Sequence, residues 1–415
     1  MKKSTKIISI FYALISAASS LNAQTSDWKK ETATGSPTGR DETSYTLCDS
    51  KMYLMGGRTK EPIEEYDPGI AKWVKKAALP EQLHHFQAVG LNGKVYILGA
   101  FTGGYPDEVP VSEIYVYNPQ TNLVSVAGNI PAGRERGSAG AVAYNNRIYL
   151  VSGNTKGHKA GNVAYFDEYN PETGEWKTLP DVPHPRDHFN AAVAGNRLYV
   201  VSGRQSAYPN TFNNTVAEVD VYDFTTGTWS TLSANLPTPR AGAGVVAYEN
   251  EILVIGGESM AQTAAHNETE ALNTTTNTWR ILPDLQTGRH GTQAVAYNGR
   301  IYIASGVASR GGTPTIADQE ILDFETISLG ITKSETGNFK AFPNPFSSNL
   351  IINSSEHAGA ESLIEIYDMT GKLRYQTQFV TGQSLNLEDV ITNGIYMARV
   401  VVSGEIEDKI ILRKE

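Results

Sequence analysis

"GRHGTQAVAYNGRIYIASG" (residues 288–306) is one of six copies of the same phrase. Three others are close: "PRAGAGVVAYENEILVIGG" (239–257), "PRDHFNAAVAGNRLYVVSG" (185–203) and "ERGSAGAVAYNNRIYLVSG" (135–153). Two are weaker: "LHHFQAVGLNGKVYILGA" (83–100) and "GRDETSYTLCDSKMYLMGG" (39–57). They align without gaps, which puts one shared position at Arg40, Leu83, Arg136, Arg186, Arg240 and Arg289. A second half follows each, as in "EYNPETGEWKTL" (168–179), "VYDFTTGTWSTL" (221–232) and "ALNTTTNTWRIL" (271–282). Its Trp position falls at Trp73, Val124, Trp176, Trp229 and Trp279. A period of about fifty residues marks a repeat architecture.

Each unit reads as four antiparallel strands. An apolar run such as "QAVAY" comes first. A turn such as Asn298-Gly299 or Asn92-Gly93 follows, and both residues tolerate the positive φ of a type I′ hairpin. "RIYIASG" is a buried second strand ending in small residues. A loop of variable length leads to a third strand with Tyr66, Tyr117, Tyr169 or Tyr222. A turn such as Thr226-Gly227 then leads to the Trp strand. Four strands, a glycine pair and a Trp per unit resemble the kelch repeat, from Asp27 to about Thr326. The resemblance implies an all-β, six-bladed kelch β-propeller.

The sixth unit has no Trp strand after "QEILDFETISLGI" (319–331). The opening "DWKKETATGSPTGR" (27–40) supplies one. Trp28 precedes Arg40 at nearly the spacing by which Trp229 precedes Arg240. The N-terminal strand is therefore expected to complete the last blade, closing the ring and covering a bare sheet edge.

A polar linker, "TKSETGN" (332–338), separates the propeller (24–331) from a C-terminal segment (339–415). There, alternating apolar residues flank turns at Thr370-Gly371 and Ser403-Gly404, which reads as a small β-sandwich. The segment carries "FPNPF" (342–346), "IYDMTGKL" (366–373), "NGIYMARV" (393–400) and a final "KIILRKE". In that order these motifs closely resemble the type A C-terminal sorting domain of the type IX secretion system. That resemblance implies a partner, the type IX machinery acting through residues 339–415. It also implies a destination, secreted from or attached to the surface of a Gram-negative bacterium.

Residues 1–23 read as a signal peptide: Lys2, Lys3 and Lys6, then "IISIFYALISAA", too short to span a bilayer, then "LNA". No other stretch is apolar enough to cross a membrane, so the mature chain is expected to have no transmembrane span. The 415 residues carry a net charge of −9 and no Lys/Arg cluster, which argues against nucleic acid as a partner. The single cysteine, Cys48, can form no internal disulfide and reads as a small buried residue.

Loops between second and third strands are long (101–112, 154–164, 204–216, 258–267), whereas the turns at the opposite face are short. Binding residues are expected on long loops held by a rigid scaffold. The long-loop face also receives Arg136, Arg186, Arg240 and Arg289, with His84, His85, His188 and His290 one or two places along, and Arg58, Arg204 and Glu258 just past the glycines. Arg and His there suit a carboxylate or sugar acid. The repeated Arg is itself part of the kelch pattern and is expected to bond neighbouring blades, which favours the non-repeated residues as ligand contacts. No paired spacing such as HExxH groups His84, His85, His188 and His290, so no metal and no cofactor is expected. The copper chemistry of galactose oxidase does not carry over, because Cys48 lies in a strand next to a turn.

Kelch propellers usually bind proteins or glycans, so the expected function is an exported binding module for an unknown protein or glycan on the long-loop face. The alternative is a sialic-acid mutarotase-like enzyme, for which Glu258, His188 and Arg204 are the catalytic candidates. A structural adhesion component is the third reading.

Overall fold

The computed structural model describes residues 27–324 and 339–414, apart from residues 355, 369–372, 389 and 403–404. The expected signal peptide, the linker and the turns Thr370-Gly371 and Ser403-Gly404 lie outside the described residues. Two compact units are formed, one ending at Phe324 and the other holding the C-terminal segment. No helix occurs among the described residues, and none is long and apolar enough to cross a membrane.

Residues 27–324 build six antiparallel sheets of four strands. The third is typical: Gly140–Tyr144, Arg147–Val151, Phe166–Tyr169 and Trp176–Leu179, paired in chain order. Turn chemistry follows the sequence. Asn298 and Gly299 take φ of 49° and 74°, and Asn92 and Gly93 take 50° and 70°. In three of the sheets Tyr and Trp of the outer strands pair across the hairpin, with ring centroids 5.0 Å apart for Tyr66–Trp73, 4.9 Å for Tyr169–Trp176 and 5.1 Å for Tyr222–Trp229. The innermost strand of each sheet neighbours that of the next, and Thr43–Cys48 neighbours Ala294–Tyr297.

The sixth sheet takes its fourth strand from the N-terminus: Lys29 pairs with Ile321 and Lys30 with Glu320. Trp28 is 1% exposed, and its Nε1 donates to Thr269 Oγ1 of the fifth repeat at 3.1 Å. Three other tryptophans also bond back to the preceding repeat, Trp176 to Asn129 O, Trp229 to Pro180 O and Trp279 to Ala234 O.

The repeated arginines are buried, but they do not bridge neighbouring sheets as expected. Each guanidinium turns back on its own repeat, where it meets a second-strand carbonyl and a third-strand carboxylate. Arg136 donates to Leu150 O and pairs with Asp167 at 2.9 Å. Arg186 pairs with Asp220, and Arg40 with Glu64, both at 2.8 Å. Arg240 pairs with Glu270, and Arg289 with Glu320, both at 2.5 Å. The repeat with Leu83 in place of Arg carries Tyr115 where the others carry the acid. Both partners change together because either charge alone would be buried unpaired.

In the C-terminal unit, one sheet holds Phe339–Phe342, Asn349–Ser354 and Ser384–Asn386. The other holds Leu373–Val380, Glu361–Asp368, Gly394–Val402 and Glu405–Lys414. Phe339, Phe346 and Leu350 share one core with Ile364, Ile366, Val400 and Leu412. The motifs at the two ends of this segment touch. Arg413 N donates to Asn344 Oδ1 at 2.8 Å, and Phe346 N donates to Arg413 O at 2.9 Å. Lys414 is buried, its ammonium donating to the carbonyls of Leu387, Glu388 and Ile391.

Candidate functional site

Two places after the shared Arg position, every repeat turns through a left-handed residue. Glu42, His85, Ser138, His188, Gly242 and Gly291 have φ between 53° and 66°. Backbone hydrogen bonds link these turns: His85 N to Glu42 O, Ser138 N to His85 O, Gly242 N to His188 O, Gly291 N to Gly242 O, and Thr43 N to Gly291 O. All six residues line one chamber. The backbone repeats, while the side chains differ: a carboxylate, two imidazoles, a hydroxyl and two glycines. A Cβ at Gly291 would stand 3.1 Å from Glu42 N, so little more fits there.

One place earlier, five of the six repeats form a reciprocal pair of backbone bonds with the residue just past the end of the second strand, as between Asp187 and Arg204 (2.7 and 2.9 Å) and between Ala241 and Glu258 (2.9 and 2.8 Å), and in the first repeat Arg58 N donates to Asp41 O at 3.0 Å. This brings Asp187, Arg204 and Glu258 to the same level as His84 and His290. The long loops add Glu108 and His158.

The buried charges join one repeat to another. Arg58 pairs with Glu108 at 2.6 Å and with Asp41 at 3.3 Å. Glu108 accepts from His158 N at 3.0 Å and bonds His158 Nδ1 at 2.8 Å. His158 Nε2 lies 3.0 Å from His188 Nε2, and His188 Nδ1 bonds Asp187. Ser206 also holds Asp187, its N donating at 2.9 Å and its Oγ at 2.7 Å. Arg204 pairs with Glu258, whose other oxygen accepts from Gly311 N at 3.0 Å. His290 Nε2 donates to Ser309 O and Gly311 O. His84 Nδ1 is 2.6 Å from His85 Nδ1, and His84 Nε2 donates to Gly103 O.

Burial and pairing set the charges. Burial tends to raise Asp187 and Glu258, but the adjoining imidazoles and Arg204 bring both down to about 2. Against the same burial, His158 and Arg58 hold Glu108 far below the usual carboxylate range. Asp41 and Glu42 are raised to about 7, by burial first and then by a neighbouring carboxylate. Burial lowers His188 to about 3 and His84 to about 4, and moves His85 and His158 down as well. Near neutral pH the imidazoles of His84, His85, His158 and His188 are therefore uncharged, and two guanidiniums face three firmly ionised carboxylates.

A cleft of about 370 Å³ opens on this cluster, with Asp41, Glu42, Arg58, His158, Glu258 and His290 in its wall and Tyr105 and Phe212 beside them. Tyr105 and Tyr208, 53% and 54% exposed, stand together with ring centroids 6.4 Å apart. Tyr105 also meets the His158 ring at 4.9 Å. Arg204 Nη2 and His290 Nδ1 are buried with no hydrogen-bond partner among the described residues.

Among the residues marked out by sequence, Arg58, His84, His85, His188, Arg204, Glu258 and His290 come together here. Arg136, Arg186, Arg240 and Arg289 are engaged inside their own sheets. Sequence reasoning missed Asp41, Glu42, Glu108, His158 and Asp187. The repeat alignment contained the signal for three of them: Glu42 aligns with His85 and His188, and Asp41 and Asp187 with His84 and His290. Glu108 and His158 lie in loops of unequal length, where no alignment operates.

Residues 84–306 match the family model described as the KLHDC2/KLHL20/DRC7 Kelch-repeats domain. The chain belongs to the kelch-repeat family. Residues 340–413 match the secretion system C-terminal sorting domain, the type IX tail read from sequence. Among curated kelch proteins, Kelch-like protein terF of Aspergillus terreus is 31% identical over 299 residues, 66% of this chain and 63% of that protein. Kelch-like protein 23 of Homo sapiens is 25% identical over 268 residues, 63% of this chain and 44% of that protein. This kelch chain thus spans less than two thirds of the length of these curated relatives. The solved structure of YjhT superposes with a TM-score of 0.57 at 16% identity, covering 69% of this chain and 96% of that chain, and shows the shared propeller fold.

Proposed function

We propose that this is an exported kelch propeller whose long-loop mouth binds a hydroxyl-rich, glycan-type ligand. One observation carries the reading: the exposed Tyr105, with Tyr208 against it, stands in the wall of a cleft that Glu42, His158, Glu258 and His290 also line. Aromatic faces suit the C–H faces of a sugar ring, and Arg204 Nη2 and His290 Nδ1 suit its hydroxyls. An anionic ligand fits less well, because Glu108 and Asp41 already occupy Arg58, and Glu258 one arm of Arg204.

In this reading the six sheets are the blades of a closed ring, and Lys29–Lys30 is its seam. The pairing of Lys29 with Ile321 and the bond from Thr43 N to Gly291 O support it. Residues 1–23 are the signal peptide, 24–331 the propeller, 332–338 the linker and 339–415 the address read by the secretion machinery at the outer membrane. Glycan-array binding of the mature protein tests the ligand. Saturable binding is expected, lost in the Tyr105→Ala/Tyr208→Ala double variant without a change in melting temperature. A folded wild-type protein that binds no glycan refutes the reading. For the address, Lys414→Met should leave the cargo in the periplasm, and efficient surface delivery of that variant would count against it.

A specific feature favours a second reading, an acid–base enzyme of the sialic-acid mutarotase kind. Imidazoles held by carboxylates, His188 by Asp187 and His158 by Glu108, and uncharged near neutral pH, would serve as general bases beside Arg204 and Glu258. NMR of the anomers of free sialic acid tests it: no acceleration over buffer eliminates the enzyme.

A further inference from the structure

We propose that His85, His158 and His188 hold a divalent first-row transition-metal ion, with Glu42 beside it. One ring nitrogen from each of the three histidines lies within 4.8 Å of the others, and all three residues are buried.

His158 Nδ1 faces Glu108 and His188 Nδ1 faces Asp187. A carboxylate only accepts, so both Nδ1 atoms carry the proton and both Nε2 atoms present lone pairs. Those Nε2 atoms stand 3.0 Å apart. Two bare lone pairs at that distance repel, and a cation between them turns the contact into an attraction. On the third ring, His84 Nε2 donates to Gly103 O, which leaves His84 Nδ1 to accept from His85 Nδ1. The lone pair of His85 is then on Nε2, which is buried without a hydrogen-bond partner among the described residues, 3.5 Å from Glu42 Oε1. A proton shared by His158 and His188 would relieve one contact and leave His85 Nε2 unmet. One cation meets all three.

A histidine that donates its second nitrogen to a carboxylate is the usual outer arrangement of metal-binding imidazole, because it fixes the tautomer and raises the basicity of the ligand. Two of the three have it here. At a metal–nitrogen distance of about 2.05 Å, nitrogens 3.0 Å apart subtend roughly 94°, an angle that octahedral and distorted tetrahedral centres both use. Imidazoles with one carboxylate select zinc, copper, iron, cobalt or nickel over calcium or magnesium, which want oxygen alone. Glu108, Asp187 and Glu258 add negative charge nearby. His158 also lines the cleft, so a bound ion would keep an open position towards it.

The proposal goes beyond the ligand reading and is tested without any glycan. Chelator-stripped mature protein is titrated with Zn²⁺ and Co²⁺, and bound metal is measured by elemental analysis. One ion per chain is expected, with metal-edge absorption showing three imidazoles. Glu108→Gln should weaken affinity about 10–100-fold, since it takes the charge from the outer partner of His158 Nδ1 and leaves all three imidazoles in place. His158→Gln and His188→Asn should abolish uptake, while His266→Gln, bonded to Ser259 and Glu268 elsewhere, should leave it intact. A wild-type chain that stays metal-free overturns the proposal. So does an ion retained by His158→Gln but lost in His290→Gln, which would place it on the neighbouring Glu42–Glu258–His290 group. If a histidine variant fails to fold, the imidazole count on the wild-type protein decides, and fewer than three imidazoles overturns the proposal.

Discussion

The repeated arginines and the residues two places after them sit on the same turn of the same repeat, yet they are stabilised in opposite ways. Each arginine finds its acid within its own sheet, so the pair is copied with the repeat: Arg136 with Asp167, Arg186 with Asp220, Arg240 with Glu270. The residues of the axial cluster have partners in other repeats as well as their own: His188 meets His158, Arg204 meets Glu258, Arg58 meets Glu108. A buried charge that is neutralised locally can be multiplied without altering its neighbours. One that is neutralised across repeats ties the repeats into a single arrangement, and there each residue is free to differ. The first layer supports the fold, and the second is where a site can be built.

That contrast can be broken by experiment. Arg240→Ala should be the most damaging change, because Glu270 is left buried and uncompensated. The expected loss is about 3–5 kcal/mol by denaturant unfolding. The pair Arg240→Leu/Glu270→Tyr, copying the Leu83/Tyr115 repeat, should recover most of it. A loss under about 1 kcal/mol for the single variant would show that the arginine layer is not structural. Trp28→Ala should cost a similar ~3–5 kcal/mol, since its ring is enclosed in the sheet that joins the two ends of the domain. A melting temperature unchanged by that substitution would deny the N-terminal strand its role.

The axial layer makes a different prediction, one of pH. His188 and His84 have folded values of about 3 and about 4, below the ordinary imidazole value, so their contribution is present at neutral pH and lost as pH falls from about 6.5 through those values. Asp41 and Glu42, raised to about 7, act in the opposite sense: their contribution is full below about 4 and lost as pH rises through 7. Glu42→Gln removes one opposing contribution. It should raise stability at pH 8 relative to pH 5 by on the order of 1–3 kcal/mol, seen as a steeper acid-side fall in melting temperature. An unaltered pH profile would mean that Glu42 ionises normally. The smallest effect is expected outside both layers. Arg197→Ala breaks an exposed pair with Asp223 and should stay within about 1 kcal/mol in the same unfolding assay.

Much of this molecule could be read from its sequence, because the information is periodic. Asn298-Gly299, Tyr222 facing Trp229, and the missing Trp strand are local patterns or counts along the chain, and hairpins are made by neighbours. The sorting domain was legible for a related reason: its end motifs, "FPNPF" and the strand through Lys414, are fixed in order, and the fold brings them into contact. The arginine pairing lay in the alignment too, in the joint change to Leu83 and Tyr115, although the side chain stays within its repeat and it is the backbone that reaches the preceding one, Arg186 O accepting from Gly153 N and Arg240 O from Gly203 N.

By itself, then, the sequence determined the repeat, the strands, the turns, the face with long loops and the sorting address, all of which depend on residues close in the chain or related by one period. Only the tertiary structure decided which charges meet. His158 and His188 are thirty residues apart and in different repeats, and Glu108 reaches His158 across two loops of unequal length. Their proximity is set by how successive sheets bring their turns to a common axis, a distance between repeats that no spacing within one repeat records. Burial at that axis then keeps His84, His85, His158 and His188 uncharged, while close partners keep Glu108, Asp187 and Glu258 ionised against it.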